Sequence, residues 1–167
     1  MSLHKPLLPP QRSPKPPQER YLLHTDTLRL IFMRNQIVLE SLIETPLFEL
    51  AVSAVSAAQL HHACERKRGD QRLARAAYLL LRAVEICPWD AKVARRYGAM
   101  SAGLERTGVV LDGHQRQVAA HALSLNAVLV TAEPVFMGVP GLPQEDWSEI
   151  LPLGGHCRRF GTLPVGR

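Results

Sequence analysis

Three carboxylates and a histidine stand where the apolar pattern of this chain breaks. His24 and Asp26 close the run at residues 21–25, Asp112 precedes Gly113, and Glu133 follows the apolar run at 127–131. Carboxylates gathered at one point repel one another, and an arriving dication relieves the repulsion. Mg²⁺ favours such hard oxygen donors, and a bound ion can activate water. Asp26, Asp112 and Glu133 are therefore candidate metal ligands. Each also has an ordinary alternative: Asp26 as a helix cap, Asp112 as a turn residue, Glu133 as a solvated loop charge. Gln59 and Gln115 occupy comparable places near helix starts. A neutral amide is a poorer Mg²⁺ ligand than a carboxylate, and His favours Zn²⁺, Ni²⁺ or Cu²⁺.

Other reactive side chains offer less. His61 and His62 are adjacent, so they point about a quarter-turn apart on a helix and cannot chelate as an i, i+4 pair does. They are expected at the surface or half-buried, with a soft-metal site shared with His24 as the alternative. His121 is expected to pack or cap locally. No Ser–His–Asp or Cys–His order suggests covalent catalysis. Arg66, Lys67, Arg68, Arg72 and Arg75 form a basic stretch that suits RNA phosphates or a solvated helical face. Few aromatics interleave with it, so a base-stacking platform is not expected.

Elements must position these groups. Residues 21–25 read as a buried strand, and Thr25 or Asp26 as the cap of a helix through Leu28, Ile31 and Phe32. A short helix follows at 37–42, then a strand at 49–55 whose Ser56 would cap the helix holding Leu60 and Ala63. Gly69 and Asp70 break that helix. Residues 71–83 are rich in helix formers, residues 84–87 suit a short strand, and Asp90 caps a helix over 91–106 that ends at Gly108. Val118, Ala122 and Leu125 mark another helix ending near Asn126, before a buried strand at 127–131. A last edge strand is expected at 141–147, where Pro143 argues against a central place. Alternating strands and helices predict an α/β fold with a parallel sheet covered on both faces. In such sheets ligands bind beyond the carboxyl ends of the strands, which brings His24, Asp26, Thr131 and Glu133 toward one pocket.

Composition sets the bounds. The chain has 167 residues, 46% of them hydrophobic, enough for one domain with a sizeable core. No apolar run is long enough for a membrane span, and no secretory signal is evident. Three widely spaced cysteines, Cys64, Cys87 and Cys157, fit a reducing, cytoplasmic setting. The formal charge of +5 favours an anionic partner without requiring one.

In order and spacing, YLLHTDTL at 21–28, SAVSAAQL at 53–60 and VVLDGHQRQVAAHALSLNAVLVT at 109–131 resemble a PIN domain of the VapC toxin type, a family of small metal-dependent ribonucleases. LLHT is similar to the family's LLDT, so His24 stands in the place of an Asp ligand. SAAQL is similar to TxAEL, so Gln59 replaces a Glu. HQRQVAA is similar to a segment with Asp three residues before an IAA-like triplet, so Gln115 replaces that Asp. LVTAE is similar to LVTNN or LVTND, leaving Ala132 and Glu133 at the last polar positions, and VPGLPQEDW resembles the closing strand.

The resemblance covers roughly residues 20–148. It implies a three-layer α/β/α fold with a mainly parallel sheet of four to five strands, between a disordered Pro-rich basic arm at 1–19 and a flexible tail at 149–167. It further implies RNA as ligand, a small antitoxin as partner, and a homodimer. Three formal charges are lost at one site. The main reading is a catalytically degenerate PIN domain, without a metal cofactor, that binds RNA or an antitoxin. The alternative is a Mg²⁺- or Mn²⁺-dependent endoribonuclease with a shifted site at Asp26, Asp112 and Glu133. A decayed toxin with no present role is a third.

Overall fold

The computed structural model describes residues 19–67 and 69–149. Residues 1–18, 68 and 150–167 lie outside them, and with them nearly all of the expected arm and tail, Cys157, and Arg68 of the basic stretch.

Five short strands form one sheet: β1 (Tyr21–Leu23), β2 (Leu50–Ser53), β3 (Glu85–Cys87), β4 (Val128–Val130) and β5 (Gln144–Glu145). Their order is β3-β2-β1-β4-β5, and every pairing is parallel. Parallel neighbours need long crossovers, and helices supply them: α1 (Thr25–Phe32), α2 (Gln36–Glu44), α3 (Ala54–Arg66), α4 (Gln71–Ala83), α5 (Ala91–Thr107) and α6 (Gly113–Leu125).

Side chains alternate across a strand, and the register turns that alternation into two cores. Leu22, Ala51 and Leu129 stand abreast and face a cluster with Leu104, Val118 and Phe136. Leu23, Val52 and Val130, one residue on, face the opposite cluster with Leu28, Val38, Leu60 and Ala77. The expected three-layer arrangement is thereby present, with five strands and no antiparallel member among the described residues.

The strands are shorter than the apolar runs that announced them, because the helices begin sooner. Ser53, not Ser56, caps α3: its Oγ accepts from the Val55 N–H at 3.1 Å. Ser56 is already inside the first turn and fully buried. Nor do Thr25 and Asp26 cap α1. The cap position falls on His24, whose backbone is extended and whose side chain makes no capping bond. Asp26 instead turns its carboxylate toward the sheet. Asp90 caps α5, Gly108 ends it at φ 73°, and Asn126 ends α6 at φ 51°. The last strand shrinks to two residues after Pro143.

Chain order reverses between β1 and β4. From β1 the chain steps to β2 and β3, then crosses back to β4 on the other side. The carboxyl ends of β1 and β4 thus diverge at a topological switch point, where an open α/β sheet leaves a crevice.

Ser53 also holds a buried partner, since its Oγ lies 2.8 Å from His121 Nδ1. Removing it orphans both the cap N–H and the imidazole nitrogen. Ser53→Ala is expected to lose about 2–3 kcal/mol in urea unfolding, whereas Ser56→Ala, whose Oγ has no partner among the described residues, changes stability by about 0.5 kcal/mol or less.

Candidate active-site cleft

Four residues from two strand ends meet in the crevice. His24 follows β1, Asp26 lies in the first turn of α1, and Thr131 and Glu133 follow β4. Asp26 Oδ1 lies 2.8 Å from His24 Nδ1 and accepts from the Thr27 N–H at 2.7 Å. Its Oδ2 accepts from Thr131 Oγ1 at 3.1 Å and from the Ala132 N–H at 2.8 Å. Thr131 Oγ1 in turn accepts from the Glu133 N–H at 3.1 Å. Since a carboxylate only accepts, His24 Nδ1 is the protonated nitrogen of this pair.

Glu133 is held from the other side. Gln115 Nε2 donates to Glu133 Oε2 at 2.8 Å. The same amide's Oε1 accepts from the Asp112 N–H at 2.9 Å, while Asp112 Oδ1 accepts from the Gln115 N–H at 2.7 Å. That reciprocal pair is a capping box on α6. Glu133 Oε1 is 3.9 Å from His24 Nδ1.

His24 is buried, with its ring edge-on to Phe136 at 5.1 Å between centroids. The His114 ring lies 5.6 Å away, and its Nε2 is 3.0 Å from Thr25 Oγ1. Burial holds the His114 imidazole below its ordinary pKa, assisted by the nearby His24. Burial also lowers His121 on the far side of β2. For Asp26 burial works to raise the carboxyl pKa. The hydrogen bond and charge of His24 and the N–H groups of Ala132 and Thr27 together outweigh it, so Asp26 is held below the usual carboxylate range.

The structure brings together some of the residues singled out in the sequence and separates others. Ligand atoms of His24, Asp26 and Glu133 all lie within 4.8 Å of one another. Asp112 is exposed, caps α6 and is not in that group. Gln59 lines the same crevice, which opens into a cavity of about 970 Å³. Lys67 and Arg72 of the basic stretch also line it, whereas Arg66 and Arg75 are exposed on α3 and α4 outside its lining. His61 and His62 are exposed on α3 and do not join His24. His114 was missed. Its signal was its place beside Gln115 in the first turn of α6.

A hard dication does not suit this donor set. It needs several carboxylate or water oxygens free to turn toward it. Asp26 has both oxygens engaged by protein donors, and one Glu133 oxygen is engaged by an amide. An imidazole stands between them.

The PIN domain family matches residues 30–142, so the chain belongs to that family. Its relatives are of the VapC type. It is 27% identical to Ribonuclease VapC1 of Haemophilus influenzae, over 77% of this chain and 98% of that protein. It is 27% identical to Ribonuclease VapC2 of Rickettsia felis, over 60% of this chain and 75% of that protein. Among solved structures, VapBC-1 from nontypeable Haemophilus influenzae superposes with a TM-score of 0.68 at 27% identity, covering 77% of this chain and 98% of that one. VapBC2 from Rickettsia felis bound to a promoter DNA fragment gives a TM-score of 0.68 at 25% identity, covering 76% and 98%. No helix among the described residues is long and apolar enough to cross a membrane.

The depressed groups fix the sign of the acid response. His114 and His121 stay neutral in the fold while the unfolded chain takes up protons, so stability is expected to fall from about pH 6.5 downward. Asp26 contributes in full above its unfolded value of about 3.9 and loses that contribution as pH drops further. Urea midpoints across this range should therefore fall in two stages, with His114→Gln reducing the first and Asp26→Asn the second.

Proposed function

We propose that this chain is a VapC-type PIN protein that acts by binding and does not hydrolyse RNA through a divalent metal. One observation carries the reading: the Asp26 carboxylate is saturated by His24, Thr27, Thr131 and Ala132. Bringing a hard ion there means breaking charge-assisted hydrogen bonds worth about 1.5–3 kcal/mol each. The neutral Gln59 and Gln115 supply no compensating charge. Gln115 supports the reading further, because it already satisfies Glu133 without an ion. The relatives supply the partner class. The similar solved structures are VapBC assemblies of toxin with antitoxin, so an antitoxin-like protein is the partner we assign, with RNA the competing ligand at the basic stretch.

The enzyme reading draws on a different observation. His24, Asp26 and Glu133 form a mixed imidazole and carboxylate group, of a kind that borderline ions such as Zn²⁺ accept more readily than Mg²⁺. A shifted site that used Asp112 would have to break the capping box on α6.

Incubation of the full chain with structured RNA and Mg²⁺ or Mn²⁺ separates the two. The expected result is no cleavage and no thermal shift with Mn²⁺. The triple substitution His24→Asp, Gln59→Glu, Gln115→Asp should then raise the melting temperature in Mn²⁺, as a ligand does by linkage, and gain cleavage. Cutting by the unaltered chain that is lost in Glu133→Ala would overturn the proposal.

A further inference from the structure

Three buried ring nitrogens have no hydrogen-bond partner among the described residues: His24 Nε2, His114 Nδ1 and His121 Nε2. A buried polar atom without a partner calls for an explanation, and a bound ion is one of the few available. His121 stands apart, with its ring against Trp89 at 5.9 Å between centroids. His24 and His114 stand together. Both line the cleft cavity, their centroids are 5.6 Å apart, and their planes are inclined by 32°.

Each of the two rings is already held by its other nitrogen. His24 Nδ1 donates to Asp26 Oδ1 at 2.8 Å, which leaves Nε2 as a bare acceptor. His114 Nε2 lies 3.0 Å from Thr25 Oγ1. With that N–H donating to the hydroxyl, Nδ1 carries the lone pair. An imidazole anchored through one nitrogen to a carboxylate or another oxygen, with the second nitrogen bare, is oriented as metal-binding histidines are. Two bare nitrogens cannot satisfy each other, because neither has a proton to give. One cation satisfies both.

We infer that His24 Nε2 and His114 Nδ1 together bind one borderline transition ion, Zn²⁺, with water completing its coordination. The reach is right. Ring centre through nitrogen to Zn²⁺ spans roughly 3 Å, so two rings on one ion have centres up to about 6 Å apart. The observed 5.6 Å falls inside that limit. The donors set the ion class, because ring nitrogens suit Zn²⁺, Ni²⁺ or Cu²⁺ and not Mg²⁺. Asp26 does not touch the ion. It stands behind the His24 ring, fixes the tautomer and makes Nε2 more basic. The ion would tie the residue at the cap of α1 to the first turn of α6, and so close the two sides of the cleft against each other.

The test is titration of the untagged full chain with Zn²⁺, followed by calorimetry, thermal melts and the nitrogen NMR signals of the imidazoles. One ion per chain is expected. At a hundredfold excess over Kd it should raise the melting temperature by about 5 °C. His24 Nε2 and His114 Nδ1 are the nitrogens whose signals should move, and millimolar Mg²⁺ should not displace the ion. His114→Gln should lose the binding, and Asp26→Asn should weaken it about 10–100-fold. Melts without metal check that each variant folds. His61→Gln combined with His62→Gln, exposed on α3, should leave binding unchanged. No uptake, equal uptake by His114→Gln, or loss of uptake with the α3 pair would overturn the inference. So would a Zn²⁺-induced shift at His24 Nδ1 in place of Nε2. None of these readouts uses RNA cleavage, so cutting in Mg²⁺ or Mn²⁺ would remove the binding reading above and leave this result standing.

Discussion

The Asp26 carboxylate is the fixed point of this fold's working end. It reaches from the first turn of α1 to the backbone N–H of Ala132 beyond β4, and so ties the two strand ends that diverge at the switch point. Its four donors leave neither oxygen idle. Thr27 tightens the same junction, because its Oγ1 donates to the Val130 carbonyl at 2.7 Å. The cleft therefore has a rigid back wall made of satisfied hydrogen bonds. Such a network specifies geometry well when every member is paired.

Function follows from what that wall leaves over. Catalysis by a bound hard ion relies on carboxylates that are poorly satisfied until the ion arrives. Here the satisfaction of Asp26 is internal. The scaffold of the PIN family is thus retained around a cleft in which His24, Asp26 and Glu133 meet.

Most of the fold was legible in the sequence, and the parts that were not share a cause. Asp90, Gly108 and Asn126 announced the ends of α5 and α6 because caps and left-handed stops depend on local backbone chemistry. Ser53 and Ser56 could not be told apart. Either serine can cap a helix, and the choice depends on where β2 stops against β1, a tertiary fact. Asp26 reads from the sequence both as a cap and as a ligand; it does not cap α1, whose cap position is His24. Its main partners, Thr131 and Ala132, lie more than a hundred residues away. His24, Gln59, Gln115 and Glu133 were found through the family resemblance, since their spacing alone says little. His114 escaped although it neighbours Gln115, because its approach to His24 is set by how α6 packs against α1 and not by local sequence.

Gln115 satisfies neighbours of opposite polarity at once. Its carbonyl oxygen faces a donor, the Asp112 N–H, and its amide nitrogen faces an acceptor, Glu133. No carboxylate can do the same, because it has nothing to donate. An acid restored at 115 would confront Glu133 across a gap with no counter-charge between them. The amide therefore satisfies both neighbours without a cation, whereas an acid in its place would need one to stand beside Glu133.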